Sequence, residues 1–395
     1  MKFNLTEGLL TVFLTGRISS ANAGEVETEL NAILSSNAHT ALVFDLDELE
    51  YISSAGLRVV LRTRKAEPTL KLVNASSEVY EIFEMTGFTD MIPVEKAYRR
   101  LSVEGCEVIG QGANGKVYRY DPDTIIKVYF NSDALPDIHR ERELARTAFV
   151  LGVPTAIPYD VVRVGDSYGS VFELLNAKSF GKLMVQEPEN FDHYVDLYVE
   201  LLKTVHGTTV KEGTMPDMKA VALNWASFLR DHLPQDAFEK LYALVEAVPH
   251  NDHMLHGDYH ITNVMMQHGE VLLIDMDTLC VGDPVFEFAS VYLAYQGYSI
   301  NDHKNIENFM GITWDTGARL WRETLRKYFN TDDEAKLTEI ENRAKIIGFT
   351  RMMRRTIRRN GYNTEQGRKD IESCKNELIR ILPTVDSLSF ADLIG

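Results

Sequence analysis

The sequence predicts a small α/β domain followed by a larger α+β region, rich in strands at its front and helical in its remainder. Three observations carry this. Over the first hundred residues, apolar strand-like runs alternate with amphipathic helical stretches. From Val108 a glycine-rich loop sits between two strand-like segments, and from Phe288 onward the chain reads as helical, rich in arginine, with Pro383 as its single proline. A length of 395 residues allows two or three domains with sizeable cores, and an apolar share of 45% with a charged share of 25% is ordinary globular usage.

The net charge of −17 repels phosphate backbones and argues against nucleic acid as a partner. No apolar run approaches the ~18–20 residues of a membrane helix, and MKFNLTEGLL lacks a cleavable signal pattern, so the expectation is a soluble, cytoplasmic protein away from membranes. Cys106, Cys280 and Cys374 are scattered without CxxC or Cys/His spacing, which speaks against a disulfide framework or a zinc site.

Residues Phe3 to Gly16 hold two strands around Glu7-Gly8, with Leu10, Val12 and Leu14 alternating at period two. Ser19 or Ser20 can cap a following helix whose Val26, Leu30, Ile33 and Leu34 share a face. Ala41 to Leu46 is continuous and apolar, as in a strand buried on both sides. It leads to Tyr51-Ile52-Ser53-Ser54-Ala55-Gly56-Leu57-Arg58 and a helix through Val59, Val60 and Leu61. A strand at Leu70 to Val73 and a helix from Glu78 to Met85, stopped by Gly87, complete the alternation, with a polar linker at 95–102.

Strand, YISSAGLR, helix, and the Gly87-Phe88 ending together resemble a STAS domain, the fold of anti-sigma factor antagonists, over residues 1–98. The resemblance implies a serine switched by phosphorylation, with Ser54 the preferred target and Ser53 its neighbour, and an anti-sigma-type protein partner. A phosphate adds roughly −2 charge at a helix N-terminus, enough to change a docked surface. The competing account is that the serine pair caps the helix. The chain departs from many members, which carry an aspartate just before the serine pair.

Further on, Gly110-Gln111-Gly112-Ala113-Asn114-Gly115 runs into Lys116-Val117-Tyr118-Arg119-Tyr120, which alternates like a strand where a dinucleotide fingerprint would open a helix. Asp121-Pro122-Asp123 turns the chain into Ile125-Ile126-Lys127-Val128-Tyr129. Glycine hairpin followed by an apolar strand with one lysine is the arrangement found in kinases; glycines admit phosphates to the backbone, and Val117 can cover a base. An ammonium inside such a strand needs a partner, and Glu141 and Glu143 of the next helical stretch are the candidates. His256-Gly257-Asp258-Tyr259-His260-Ile261-Thr262-Asn263 is then followed by Val271-Leu272-Leu273-Ile274-Asp275. Asp258 can orient an acceptor hydroxyl, Asn263 and Asp275 can hold Mg²⁺ with hard oxygens, and Lys127 can neutralise phosphates. His256 is expected to hold the loop by hydrogen bonds.

Glycine loop, strand lysine, HGDxxxxN and ID in this order resemble the kinase-like phosphotransferases of the aminoglycoside phosphotransferase and choline kinase type. The resemblance implies a two-lobed protein-kinase-like fold, a first lobe over 103–176, a helical second lobe over 177–395, ATP or GTP with Mg²⁺, and γ-phosphate transfer to a hydroxyl. It implies Gly110, Gly112, Gly115, Val117 and Lys127 at the nucleotide, Glu141 as lysine partner by its distance to the Gly152-Val153-Pro154 turn, and Glu173 and Leu175 offering hinge backbone to the base. The chain departs from protein kinases in reading HGD for HRD and Asp275-Met276-Asp277 for DFG. Gly282-Asp283-Pro284 follows so soon that no peptide-gripping activation segment fits, and Glu287 stands where this branch often has aspartate.

Five arginines lie between Arg351 and Arg359. A helix places Arg351, Arg355 and Arg358 on one face and pairs Arg354 with Arg358. They read either as a solvated face paired with carboxylates or as a dock for an anionic acceptor or phosphorylated partner. Two functions follow: a kinase for a small hydroxylated molecule with a STAS regulator, or a partner-switching protein whose kinase-like lobe phosphorylates a STAS serine or binds nucleotide as a switch.

Overall fold

A computed structural model describes residues 1–112 and 114–393; Ala113 of the glycine loop lies outside the described residues. The chain divides into two compact units, Met1–Ser102 with Val161–Asp166, and Val103–Asp160 with Ser167–Gly395.

In the first unit, Lys2–Thr6 and Leu9–Phe13 form an antiparallel hairpin whose turn residues Glu7 and Gly8 both take positive φ. Ala41–Asp45, Lys71–Ala75 and Val94–Lys96 then add in parallel, in that order. Helices Ala23–Ser36, Ser54–Ala66 and Ser77–Met85 intervene, as parallel strands require. Leu10, Val12, Leu42, Phe44, Leu72, Leu30, Val60 and Phe83 make the core.

Three expectations are corrected. The residue at the start of the first helix is Asn22, not Ser19 or Ser20, and it makes no side-chain bond to the helix: its side chain accepts from Ser19 N at 2.8 Å and donates to Arg17 O at 2.9 Å. Ala41–Asp45 is fully buried on one face and partly covered on the other, because Ala41, Val43 and Asp45 sit only half-buried beside Leu42 and Phe44. The segment read as a polar linker contains two strands, Val94–Lys96 in this sheet and Arg99–Leu101, which pairs in parallel with 162–164. Backbone pairing overrides the polar composition there.

In the second unit, Glu107–Gln111, Gly115–Arg119, Thr124–Tyr129 and Ser167–Glu173 pair antiparallel in succession, with Val117 opposite both Gly110 and Lys127. Helix Leu135–Val150 follows the third of them. The rest is helical, interrupted by the hairpin Val264–Gln267 with Glu270–Leu273. Helix Pro284–Tyr295 is buried at every position and forms the axis of this part. Asp283 caps it through Val285 N, and Pro284 occupies the first turn, where no donor is needed. The same Asp283 carboxylate accepts from Ser389 Oγ at 2.6 Å and from Phe390 N at 3.2 Å, and Phe390 packs against Phe288 and Phe329. A single 25-residue helix, Glu334–Arg358, carries most of the arginine run. Among the described residues no helix is long and apolar enough to cross a membrane.

Candidate active site

Strand alternation turns Lys127 away from the core residue Ile126, and its ammonium meets Glu141 Oε1 at 2.9 Å and Asp275 Oδ1 at 3.3 Å. Glu141, on the buried face of helix Leu135–Val150, also accepts from Tyr129 OH at 2.6 Å, whereas Glu143 is exposed. Burial disfavours the Lys127 charge, but Glu141 and Asp275 outweigh it and hold the pKa above its ordinary value. Burial and the Glu141 charge push the Tyr129 phenol up, so it stays a donor.

The hairpin carrying Gly110, Gly112, Gly115 and Val117 lines a cavity of about 940 Å³, together with Lys127, Glu173 and Leu175. Gly115 is required by close approach, since a Cβ there would lie 2.4 Å from Val128 O. Asp258, Asn263 and Asp275 line the same cavity. The sequence-predicted residues of the second unit therefore meet in one place; Ser53 and Ser54 belong to the first.

Side chains from several elements fix the loop that bears Asp258. Glu287, fully buried, accepts the backbone N–H of His256, and that of Gly257 at 3.0 Å. Thr278 Oγ1 donates to His256 O at 2.7 Å and Ser290 Oγ to Gly257 O at 3.0 Å. His256 Nδ1 accepts from Asp258 N at 3.3 Å, so its Nε2 carries the proton toward Ile274 O at 3.1 Å. Gly257 adopts φ +81°, and a Cβ there would also lie 2.5 Å from Thr278 O. Beyond the loop, Tyr259 OH donates to Tyr198 O at 2.7 Å and Tyr295 OH accepts from Ile261 N at 3.0 Å.

Asp258 Oδ2 lies 3.4 Å from His260 Nε2. Burial raises its pKa, but the hydrogen bond and charge of His260 more than reverse this and hold it below the usual carboxylate range. The Asn263 amide donates to Asp258 O at 3.0 Å. Asp275 takes φ +65° two residues past strand Glu270–Leu273, and burial together with the Asp275 charge pushes the Asp277 carboxyl up to about 7. For Glu287, burial is outweighed by His206, His256 and the Gly257 N–H, so its carboxyl is held low. Sequence reasoning left the roles of Glu287 and His260 unassigned. The offset of Glu287 from the Gly282-Asp283-Pro284 turn was the only available sign, since both of its hydrogen-bond donors are backbone groups about thirty residues away.

Among the described residues no group of three or more His, Cys, Asp or Glu could hold a metal. The three cysteines are free thiols.

A glycine hairpin, a paired strand lysine and an aspartate loop followed by Asp275 on one cavity define a kinase-type phosphotransferase. The chain belongs to the phosphotransferase enzyme family, whose model matches residues 105–323, and it carries a STAS domain matched over 2–101. The chain is 41% identical over 92 residues to a protein of Bordetella bronchiseptica named as a putative anti-sigma factor antagonist, BtrV, an alignment covering 22% of this chain and 78% of that one. Among solved structures, a thermostable mutant of aminoglycoside phosphotransferase APH(4)-Ia aligns with TM-score 0.49 and 12% identity, covering 71% of this chain and 94% of that one. The streptomycin–ATP ternary complex of APH(2")-IIa aligns with TM-score 0.46 and 16% identity, covering 69% and 92%.

Proposed function

We propose that the chain transfers the γ-phosphate of ATP, or of GTP, to a hydroxyl of a small molecule, with the STAS domain as its regulator. The observation that carries this reading is the ion-paired Lys127 between Glu141 and Asp275 on the cavity that Asp258 also lines. In it, the segment 103–176 holds the nucleotide through Gly110, Gly112, Gly115, Val117, Lys127 and the backbone of Glu173 and Leu175, while 177–395 supplies the catalytic loop. Glu141 keeps the ammonium charged and aimed; the ammonium offsets phosphate charge. Asp258, kept ionised by His260, accepts the hydrogen bond of the acceptor hydroxyl and then its proton. The hydroxyl oxygen bonds to the γ-phosphorus as the bond from that phosphorus to the bridging oxygen breaks, and the electron pair leaves with the nucleoside diphosphate.

The donor set suits a hard divalent cation. The Asn263 amide nitrogen is spent on Asp258 O, leaving Oδ1 without a hydrogen-bond partner among the described residues, and the mutual repulsion of Asp275 and Asp277 favours a nearby positive charge. Mg²⁺, when bound, would be held by Asn263 and Asp275 and would supply charge neutralisation at the phosphates.

A second reading has one observation of its own. Ser53 takes the helix cap, accepting from Gly56 N at 3.4 Å, while Ser54 in the first turn is exposed. That leaves Ser54 available for phosphorylation, in this chain or in a partner's STAS domain, as a switch for an anti-sigma-type partner. Incubation with Mg²⁺ and γ-labelled ATP separates the readings: label in a small molecule supports the first, label on Ser54 the second. Binding of Mg²⁺-ATP with no label transferred by wild type, or full transfer by Asp258→Asn, refutes the catalytic assignment.

A further inference from the structure

We propose that the acceptor is an anion, a hydroxylated small molecule bearing a carboxylate or phosphate group that Arg355 and Arg359 bind, with Arg351 adding its charge beside the reacting hydroxyl. The proposal rests on the phosphotransferase reading above and names the substrate class of that same site.

Arg351, Arg355 and Arg359 all line the cavity. At four-residue spacing they form one row along about 12 Å of helix. The row starts beside the catalytic loop, where Arg351 Nη1 donates to Ser290 Oγ at 3.0 Å and lies 3.4 Å from Gly257 O, the residue before Asp258. It continues through Arg355, exposed and donating to Tyr298 OH at 2.9 Å, to the exposed Arg359. The nucleotide-side groups, the glycine hairpin, Lys127 and the Glu173 to Leu175 strand end, come from other elements of the unit.

The chain carries 58 acidic residues against 41 basic ones, and nearby arginines are neutralised accordingly. Arg326 pairs with Glu323, Arg343 with Asp392, and Arg380 with Glu377. None of the five arginines from Arg351 to Arg359 has a carboxylate within salt-bridge distance among the described residues, which sets aside the expected solvated face paired with carboxylates. Three guanidinium groups without a salt-bridge partner on a cavity wall, Arg351 acting on Asp258 only through its charge, are matched in a chain of net charge −17 to a carboxylate or phosphate, which they can grip through paired N–H groups. A polycationic aminosugar would be repelled by the same row. The transfer balances as before: the acceptor hydroxyl gains the γ-phosphoryl group, its proton goes to Asp258, and ADP departs with the bridging oxygen.

The test uses the full chain with Mg²⁺ and γ-labelled ATP and, as acceptor source, the anionic, neutral and cationic fractions of a protein-free bacterial extract, with kanamycin as a defined cation. Label is expected in a component of the anionic fraction. Arg355→Met with Arg359→Met should raise KM for that component by roughly 10- to 100-fold with a much smaller change in kcat. Arg358→Met, on the same helix but outside the cavity lining, should leave KM unchanged and shows that loss of helix charge alone is not the cause. Label entering only a neutral or cationic component or kanamycin overturns the proposal, as does label in no fraction by a chain that binds Mg²⁺-ATP. A double variant that weakens nucleotide binding instead of acceptor binding also overturns it. Failure to bind any purine triphosphate is a different result and removes the phosphotransferase reading itself.

Discussion

Replacing Glu287 by glutamine should unseat the catalytic loop without touching a residue that meets the reactants. The buried carboxylate receives the N–H groups of His256 and Gly257, and His206 Nε2 lies 3.8 Å away. Glutamine keeps the shape, but with its amide oxygen at the Oε2 position, which accepts from His256 N and from Gly257 N at 3.2 Å, its NH2 takes the place of Oε1 and faces Gly257 N donor against donor, so one hydrogen bond to a charged group is lost and a buried donor is left unpaired. A lost hydrogen bond to a charged group is worth about 1.5–3 kcal/mol and an unsatisfied buried donor about 1–3 kcal/mol, which overlap in part, so roughly 2–4 kcal/mol is expected. For a unit of this size that lowers Tm by roughly 3–7 °C. Turnover measured well below both melting temperatures should fall by roughly 100-fold, since Asp258 follows Gly257 directly and misplacement of about 1 Å has that effect. The pH dependence carries a sign. Because the Glu287 carboxyl is held low in the folded chain, its contribution is present above the unfolded value of about 4.3 and is lost as pH falls through the folded value. The wild type should therefore lose this increment in acid, whereas Glu287→Gln has none to lose. A variant melting within about 1 °C of wild type with normal turnover would refute the bracing argument.

Other variants probe separate links. Lys127→Met should abolish the stabilisation of roughly 2.7 kcal/mol that Mg²⁺-ATP at about a hundred times its Kd gives the wild type, read as a Tm shift; Glu141→Gln, which breaks a largely buried ion pair, should lower intrinsic stability by about 3–5 kcal/mol as well. Ser53→Ala should destabilise the first unit by about 1 kcal/mol through loss of the cap, while Ser54→Ala should leave its melting unchanged; equal effects in denaturant titration would contradict the cap assignment. Gly257→Ala combines a positive φ with a Cβ driven into Thr278 O, so melting should fall by more than the ~1–2 kcal/mol of the backbone alone, with transfer lost; a silent variant would show that the loop relaxes freely.

Features set by local pattern were legible before any coordinates. The strand alternation around Lys127, the glycine hairpin and the order of Asp258, Asn263 and Asp275 all follow from neighbours in sequence, and the structure gathers them on one cavity. Choices made by distant groups were not. Asn22 takes the position before the first helix with its side chain turned back to Ser19 N and Arg17 O rather than onto the helix. On a helical wheel Arg351 lies between Arg358 on one side and Arg355 and Arg359 on the other, turned by about 20°, 40° and 80° respectively. Sequence favours the tighter group with Arg358, but the cavity lies to the other side and takes Arg359. Glu287 was conspicuous without a role, since its partners are main-chain donors that carry no side-chain signature.

The Asp283 staple bears on how the protein is made. A ribosome delivers residues in order, and domains fold as they emerge. The first unit is made of residues up to 166. Helix Pro284–Tyr295, the axis of the second, is capped by a carboxylate whose other partners lie 106 and 107 residues later. Until Ser389 and Phe390 arrive, that carboxylate has only its own helix cap, and Phe288 and Phe329 lack their aromatic neighbour. A stalled nascent chain should therefore present a finished amino-terminal unit joined to a phosphotransferase unit still open to chaperones and proteases, and release of the stall should close it in a single late step.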